Sequence, residues 1–226
     1  MLWFLQVNSW QELLIGFAVR LLIIFLVLPV HECAHGWMAN KLGDDTALRM
    51  GRLTLNPLAH IDWLGAACII LVGFGWAKPV PVNPYRFDNQ AKRKRGMALT
   101  ALAGPVSNLL VAIISMILLR AIFCFPVSGR AASLIMFAFQ WLYSINISLA
   151  VFNLLPIYPL DGSRIIGGVL PDRWNNFLER NSRVISIITM VILFGGLLDP
   201  VINFLYVNVF NGIWFCIDGL FGIFGL

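Results

Sequence analysis

The sequence predicts an all-α polytopic membrane protein with about five transmembrane helices, one re-entrant or short segment and a small extended element. Three observations predict it. Of 226 residues, 59% are hydrophobic and only 12% charged, against about 25% charged in soluble chains. Mean hydropathy is +0.83. The apolar residues are gathered into long runs, with charges clustered between them. A soluble enzyme and a disordered chain are both excluded. One domain, 1–226, is expected, with a core over roughly 13–165 and accessory C-terminal helices over 184–226.

The runs are taken in chain order. Residues 13–30 are apolar except for Arg20 and form the first span. Met1 to Trp10 contains no Lys or Arg, so the basic start of a signal peptide is missing and this run is expected to be retained. Residues 62–77 are short against the roughly 20 that a span needs. They end in Gly73 and Gly75, followed by Pro79, Pro81 and Pro84, and are expected to dip into the membrane and return. Lys78 to Tyr85 must be extended, because the residue before each proline avoids the helical region. Runs 96–119 and 131–160 hold no charge. Runs 184–198 and 200–217 are separated by Asp199-Pro200, which reads as a turn.

Net charge is +5 and the isoelectric point near 9.3. Cytoplasmic loops of bilayer proteins collect Lys and Arg, and this accounts for the basicity without nucleic acid. If 62–77 returns, every Lys and Arg from 41 to 95 and from 164 to 183 shares one side, thirteen of the sixteen in the chain. Arg120 and Arg130 lie opposite. The bias predicts a multi-pass protein of the cell membrane, N-terminus outside and C-terminus cytoplasmic. Cys33, Cys68, Cys124 and Cys216 sit scattered in apolar stretches and read as packing residues.

Chemistry enters at the end of the first run, in His31-Glu32-Cys33-Ala34-His35. Residues four apart share a helix face, so both imidazoles are able to reach one metal ion, with Glu32 beside them to polarise a metal-bound water. Ionisable groups at such depth are functional candidates by default. A catalytic zinc site usually has three protein ligands. Candidates for the third are His60, Asp44, Asp45, Asp62, Cys68 and Asp161. His31 lies about 27 Å along the axis from Leu13, near the inner edge of a core roughly 30 Å thick. The span that starts after Arg130 delivers Asp161 to a similar level. Pro156 and Pro159 should unwind the chain just before it.

His31-Glu32-x-x-His35 followed by Asn153-x-x-Pro156-x-x-Pro159-x-Asp161-Gly162 resembles the site-two protease family of intramembrane zinc metalloproteases. Ala103-Gly104-Pro105 also looks like that family's middle core helix. The resemblance covers roughly residues 20–165. It implies one zinc ion held by His31, His35 and Asp161, with Glu32 as the catalytic carboxylate. It further implies cleavage within transmembrane segments of membrane proteins near the cytoplasmic side. Asn153 is expected to position the substrate or its oxyanion, or else to make an ordinary interhelical hydrogen bond, and the extended element to hold substrate as an added strand or to serve as a rigid linker. His60 is a candidate gating or substrate-positioning residue, or a plain interfacial histidine. With no PDZ-like insertion, no CBS domain and no extra span before the metal-binding helix, the chain resembles the compact prokaryotic form of that family. Substrate selection then falls to the membrane core or to a separate partner. The alternative is a metal-binding transporter or inactive scaffold. A transporter should carry further ionisable residues along its path, and a scaffold should tolerate loss of Glu32.

Overall fold

A computed structural model describes residues 10–73, 75–124 and 129–223. The N-terminal stretch before Trp10, expected to be retained ahead of the first span, lies outside the described residues. The chain divides into two compact units, Met1–Gly104 and Pro105–Leu226. The boundary falls inside a long helix. The described residues are helical, with connecting turns and one extended segment. Four helices are long and apolar enough to cross a membrane.

In the first unit, α1 (Trp10–Leu22) continues through a π-helical turn (Ile23–Val27) into α2 (Leu28–Lys41). Its outward residues are large and apolar, Phe25 and Leu26 among them, as a lipid-facing surface requires. A short helix, α3 (Thr46–Arg49), follows. Then comes α4 (Trp63–Val72), ten residues long, or about 15 Å, half the thickness of a bilayer core.

The ends of the segment containing α4 meet. Lys78 donates its backbone N–H to the carbonyl of His60 at 2.8 Å, so the chain leaves where it entered and 62–77 does not cross. The return passes hard against α4. A Cβ at Gly65 would lie 2.1 Å from the Trp76 carbonyl, and one at Gly75 would lie 2.1 Å from the Gly65 carbonyl. The turn itself is made by Gly73 at φ +89°, a conformation that side chains disfavour.

Arg20 acquires a reason here. Its Nε donates to the Ile69 carbonyl at 3.1 Å and its Nη1 to the Gly16 carbonyl at 2.8 Å. Ile69 belongs to the last turn of α4; its carbonyl also accepts the Gly73 N–H at 3.0 Å and lies at the negative end of the helix dipole. A cation from the first span thus caps a helix that stops at mid-depth.

The second unit holds the rest of α5 (Arg93–Phe123), then α6 (Arg130–Leu154), α7 (Asp161–Gly167), α8 (Asp172–Arg180), α9 (Ser182–Phe194) and α10 (Asp199–Ile223). Ala112, Met116, Ile147, Val151 and Ile217 form its core. Tyr143, Phe210 and Trp214 stack at that core's edge. Ser144 and Tyr206 share a hydrogen bond of 2.6 Å, which satisfies two hydroxyls where no water is available. Arg120 and Asp218 pair at 3.0 Å.

Two expected boundaries shift. The 184–198 run forms α9, 13 residues long, about 20 Å. The turn after it lies at Gly195–Gly196, with Gly196 at φ +69°, and not at Asp199-Pro200. The physical reason is that an acid and a proline are both favoured in the first turn of a helix. Asp199 therefore opens α10.

Replacing Arg20 with Met leaves the Ile69 carbonyl without its charged donor. Arg20→Met should destabilise the protein by about 1–3 kcal/mol. It should also speed maleimide labelling of Cys68 on α4, read by peptide mass spectrometry. Unchanged labelling would refute the capping role.

Candidate metal centre

The helix α2 presents two adjacent stripes. One carries His31 and His35, both buried. Their Nε2 atoms stand 3.0 Å apart and their rings meet edge-on, with centroids 4.6 Å apart. His35 Nδ1 lies 2.7 Å from the Thr100 carbonyl. A carbonyl only accepts, so Nδ1 carries a proton and Nε2 is the nitrogen left to offer a lone pair to a metal. This is how a metal-binding histidine is oriented from behind.

The donor set fits zinc. Two nitrogens on one tetrahedral ion, at about 2.0–2.1 Å each, are separated by about 3.3 Å, close to the spacing found. Gly104 closes over the pair. A Cβ there would lie 2.5 Å from Cε1 and Nε2 of His35 and 2.6 Å from Cε1 of His31. Thr100 and Gly104 are one turn apart on α5, so one face of that helix supplies both the carbonyl and the clearance.

The second stripe carries Glu32 and Gly36. Glu32 Oε2 accepts the backbone N–H of Val80 at 2.9 Å, and Val80 packs toward Gly36, where a Cβ would lie 3.1 Å from Val80 Cγ1. Val80 belongs to the extended segment that follows the re-entrant turn. That segment is held along its length. Lys78 N–H goes to His60, and Arg52 Nη2 reaches the carbonyls of Lys78 at 2.8 Å and Pro79 at 3.2 Å. Asn83 N–H goes to Asp44 Oδ2 at 2.6 Å. Asp44 is fully buried and also accepts from Thr46 N at 3.0 Å. Beside it, the Arg49 guanidinium, helped by Arg86, holds the half-buried Asp45 carboxyl below the usual carboxylate range.

Of the six residues expected to form the site, the first unit therefore brings together His31, Glu32 and His35. It also contains His60, 1% exposed, whose ring lies on the Thr54 carbonyl at 2.8 Å. Asn153 and Asp161 belong to the second unit. There α6 ends at Leu154, residue 155 turns extended, and residues 155–160 run without regular helix, as Pro156 and Pro159 dictate. Asp161 then opens α7. Gly162 backs onto the end of α6, where a Cβ would meet the Leu155 carbonyl at 2.2 Å. Thr189 of α9 ties this loop by donating to the Tyr158 carbonyl at 2.9 Å. Asn153 Nδ2 donates to the Leu149 carbonyl of its own helix at 3.0 Å.

Thr100, Val80 and Arg52 were not legible as site residues. Each acts through backbone contacts that no side-chain motif encodes. Gly104 carried a signal only through its place before Pro105.

Gly104→Ala should push the two imidazoles apart and lower zinc affinity by about 10- to 100-fold, the usual cost of disturbing a ligand's support. Metal content after dialysis against a graded chelator measures it. Retention of zinc at wild-type chelator concentrations would show that the helix contact is not part of the site.

A family model described as Peptidase family M50 matches residues 121–196. YwhC of Bacillus subtilis, whose name classes it provisionally as a zinc metalloprotease, is 44% identical over 155 residues, 66% of this chain and 69% of its own. Rip2 of Mycolicibacterium smegmatis, provisionally named in the same way, is 30% identical over 140 residues, 60% of this chain and 51% of its own. MJ0392 of Methanocaldococcus jannaschii, named a zinc metalloprotease, is 22% identical over 202 residues, 87% of this chain and 48% of its own. The chain thus spans about half the length of these last two. No solved structure matches it. The identity shared with YwhC over two thirds of both chains, together with paired imidazoles beside a carboxylate, leads to one assignment: this chain belongs to peptidase family M50, the site-two protease family, and is a zinc metalloprotease of the membrane.

Proposed function

We propose that the protein is an intramembrane endopeptidase that cleaves transmembrane segments of membrane proteins near the cytoplasmic side. The observation that carries this is the meeting of two facing imidazole nitrogens 3.0 Å apart with a neighbouring carboxylate at the end of an apolar helix. Water-dependent chemistry placed at that depth serves a substrate that is itself in the bilayer.

In this reading His31, His35 and Asp161 hold the zinc, and the chain works as one protease domain with its core over 13–165. Asp161 is supported by its place at the end of a 25-residue apolar helix followed by an unwound stretch. A carboxylate there offsets part of the charge that two neutral imidazoles leave uncompensated. When bound, zinc acidifies water and polarises the scissile carbonyl. Glu32 accepts the proton from the attacking water and returns it to the leaving amine. Asn153 positions the substrate or its oxyanion by its amide donor. His60 contributes through its backbone carbonyl, which fixes Lys78 at the start of the extended segment.

A helical substrate must be locally unwound before attack, because its carbonyls are hydrogen-bonded and shielded. Single-span proteins with helix-destabilising residues near the cytoplasmic interface fit this requirement, with selection among them left to the membrane core or to a separate partner. The clustering of thirteen basic residues supports an outside N-terminus, whereas the Arg120–Asp218 pair holds the end of α10 at the level of Arg120, opposite those residues, and argues against the cytoplasmic C-terminus that charge bias alone predicts.

Glu32→Gln should lower kcat by about 10²- to 10⁴-fold on a transmembrane peptide while zinc content is unchanged. Membrane proteomics of the same variant should show uncleaved single-span proteins. Asp161→Asn should lose both zinc and activity, whereas His60→Ala should keep its metal. Wild-type zinc binding by Asp161→Asn with loss in His60→Ala would make His60 the third ligand and overturn the assignment.

A further inference from the structure

We propose that Arg52 is a positioning residue for Glu32, acting through the single peptide group that joins Pro79 to Val80. The carbonyl of that peptide lies 3.2 Å from Arg52 Nη2, and its N–H donates to Glu32 Oε2 at 2.9 Å. Carbonyl and N–H share one rigid plane. A guanidinium at one end and a carboxylate at the other therefore polarise the same peptide from both sides, and each hydrogen bond strengthens the other.

The arrangement is more than a loop fastening. Arg52 is 9% exposed, and among the described residues its guanidinium bonds only the carbonyls of Lys78 and Pro79. Burying a cation against neutral acceptors is costly, and a neutral donor would hold a loop as well. What the cation adds is charge directed along the peptide toward Glu32. The prolines at 79 and 81 fix φ on both sides of Val80. Val80 is further seated beside Gly36, one turn beyond Glu32. The N–H is thereby aimed. Glu32 has three side-chain torsions, and holding its carboxylate in one rotamer before substrate arrives is preorganisation.

This inference rests on the reading of Glu32 as the base, so the test includes a measurement that needs no turnover. Amide exchange is followed by mass spectrometry on the full-length protein in lipid nanodiscs, over residues 78–84, whose amides are those of Lys78, Val80, Val82 and Asn83. Arg52→Met should speed exchange in this fragment about tenfold, with α5 and α6 unaffected and zinc content unchanged. Its kcat should fall about 10- to 100-fold with KM within about twofold. Glu32→Ala should expose the same amide, and Arg52→Lys should restore most of the protection and rate. Unchanged exchange in Arg52→Met overturns the proposal, as does a loss carried by KM. So does loosening of every fragment by Arg52→Met and Arg52→Lys alike. Cleavage retained by Glu32→Ala would remove the reading of Glu32 as base, while the exchange result would still judge the contact.

Discussion

The hydrogen bond from His35 Nδ1 to the Thr100 carbonyl fixes more than a ring orientation. Because the acceptor is a carbonyl, it determines which nitrogen keeps its proton, and hence that Nε2 is the free donor to a metal. It also joins α2 to α5 at the one level where Gly104 leaves room for two imidazoles. A water in that place could donate or accept and would permit either tautomer, whereas a backbone carbonyl only accepts and keeps a proton on Nδ1. The metal chemistry of the first unit depends on this choice having been made by the fold.

The same logic governs the re-entrant segment. At membrane depth every polar backbone group needs an internal partner, and a helix that stops midway leaves its last carbonyls bare. Arg20 adds a charged donor from the first span to the Ile69 carbonyl, beside the Gly73 N–H. The close approach of the Trp76 carbonyl to Gly65 and of the Gly65 carbonyl to Gly75, which no side chain at either glycine would permit, lets the chain turn back along α4. The bond between Lys78 and His60 then closes the loop at its mouth. The consequence for function is positional. A segment that returns to its entry level delivers 78–83 beside α2, and so brings Val80 to Glu32.

Much of this was legible in the sequence because it is written in composition and short spacing. The apolar runs, the His31-Glu32-x-x-His35 spacing and the helix break at Pro156 and Pro159 each follow from local chemistry. The return of 62–77 was inferred from charge bias, and it now stands on a hydrogen bond. What could not be read is the set of contacts made by backbone atoms at long sequence separation. Arg20 appeared as an isolated charge in an apolar run, and Thr100 as one more helical residue. The turn before α10 was misplaced because Asp199-Pro200 is as natural at a helix start as in a turn. Sequence alone does not say which side of it the helix lies on.

The extended segment shows how far one such contact alters an expectation. A strand added by substrate needs donors on the edge it joins. In an extended chain the N–H groups of alternate residues face opposite edges. Here Lys78 and Val80 spend theirs on His60 and Glu32, and the residues between and after them, Pro79 and Pro81, have none to offer. The edge bearing 79 and 81 therefore cannot donate hydrogen bonds at those two positions, and the Pro79 carbonyl already accepts from Arg52, which argues against pairing by a regular two-way ladder there. The proline register that looked like a rigid spacer instead reserves the segment's donors for the protein. It keeps Val80 committed to Glu32, so the segment holds that carboxylate before it can pair with anything else.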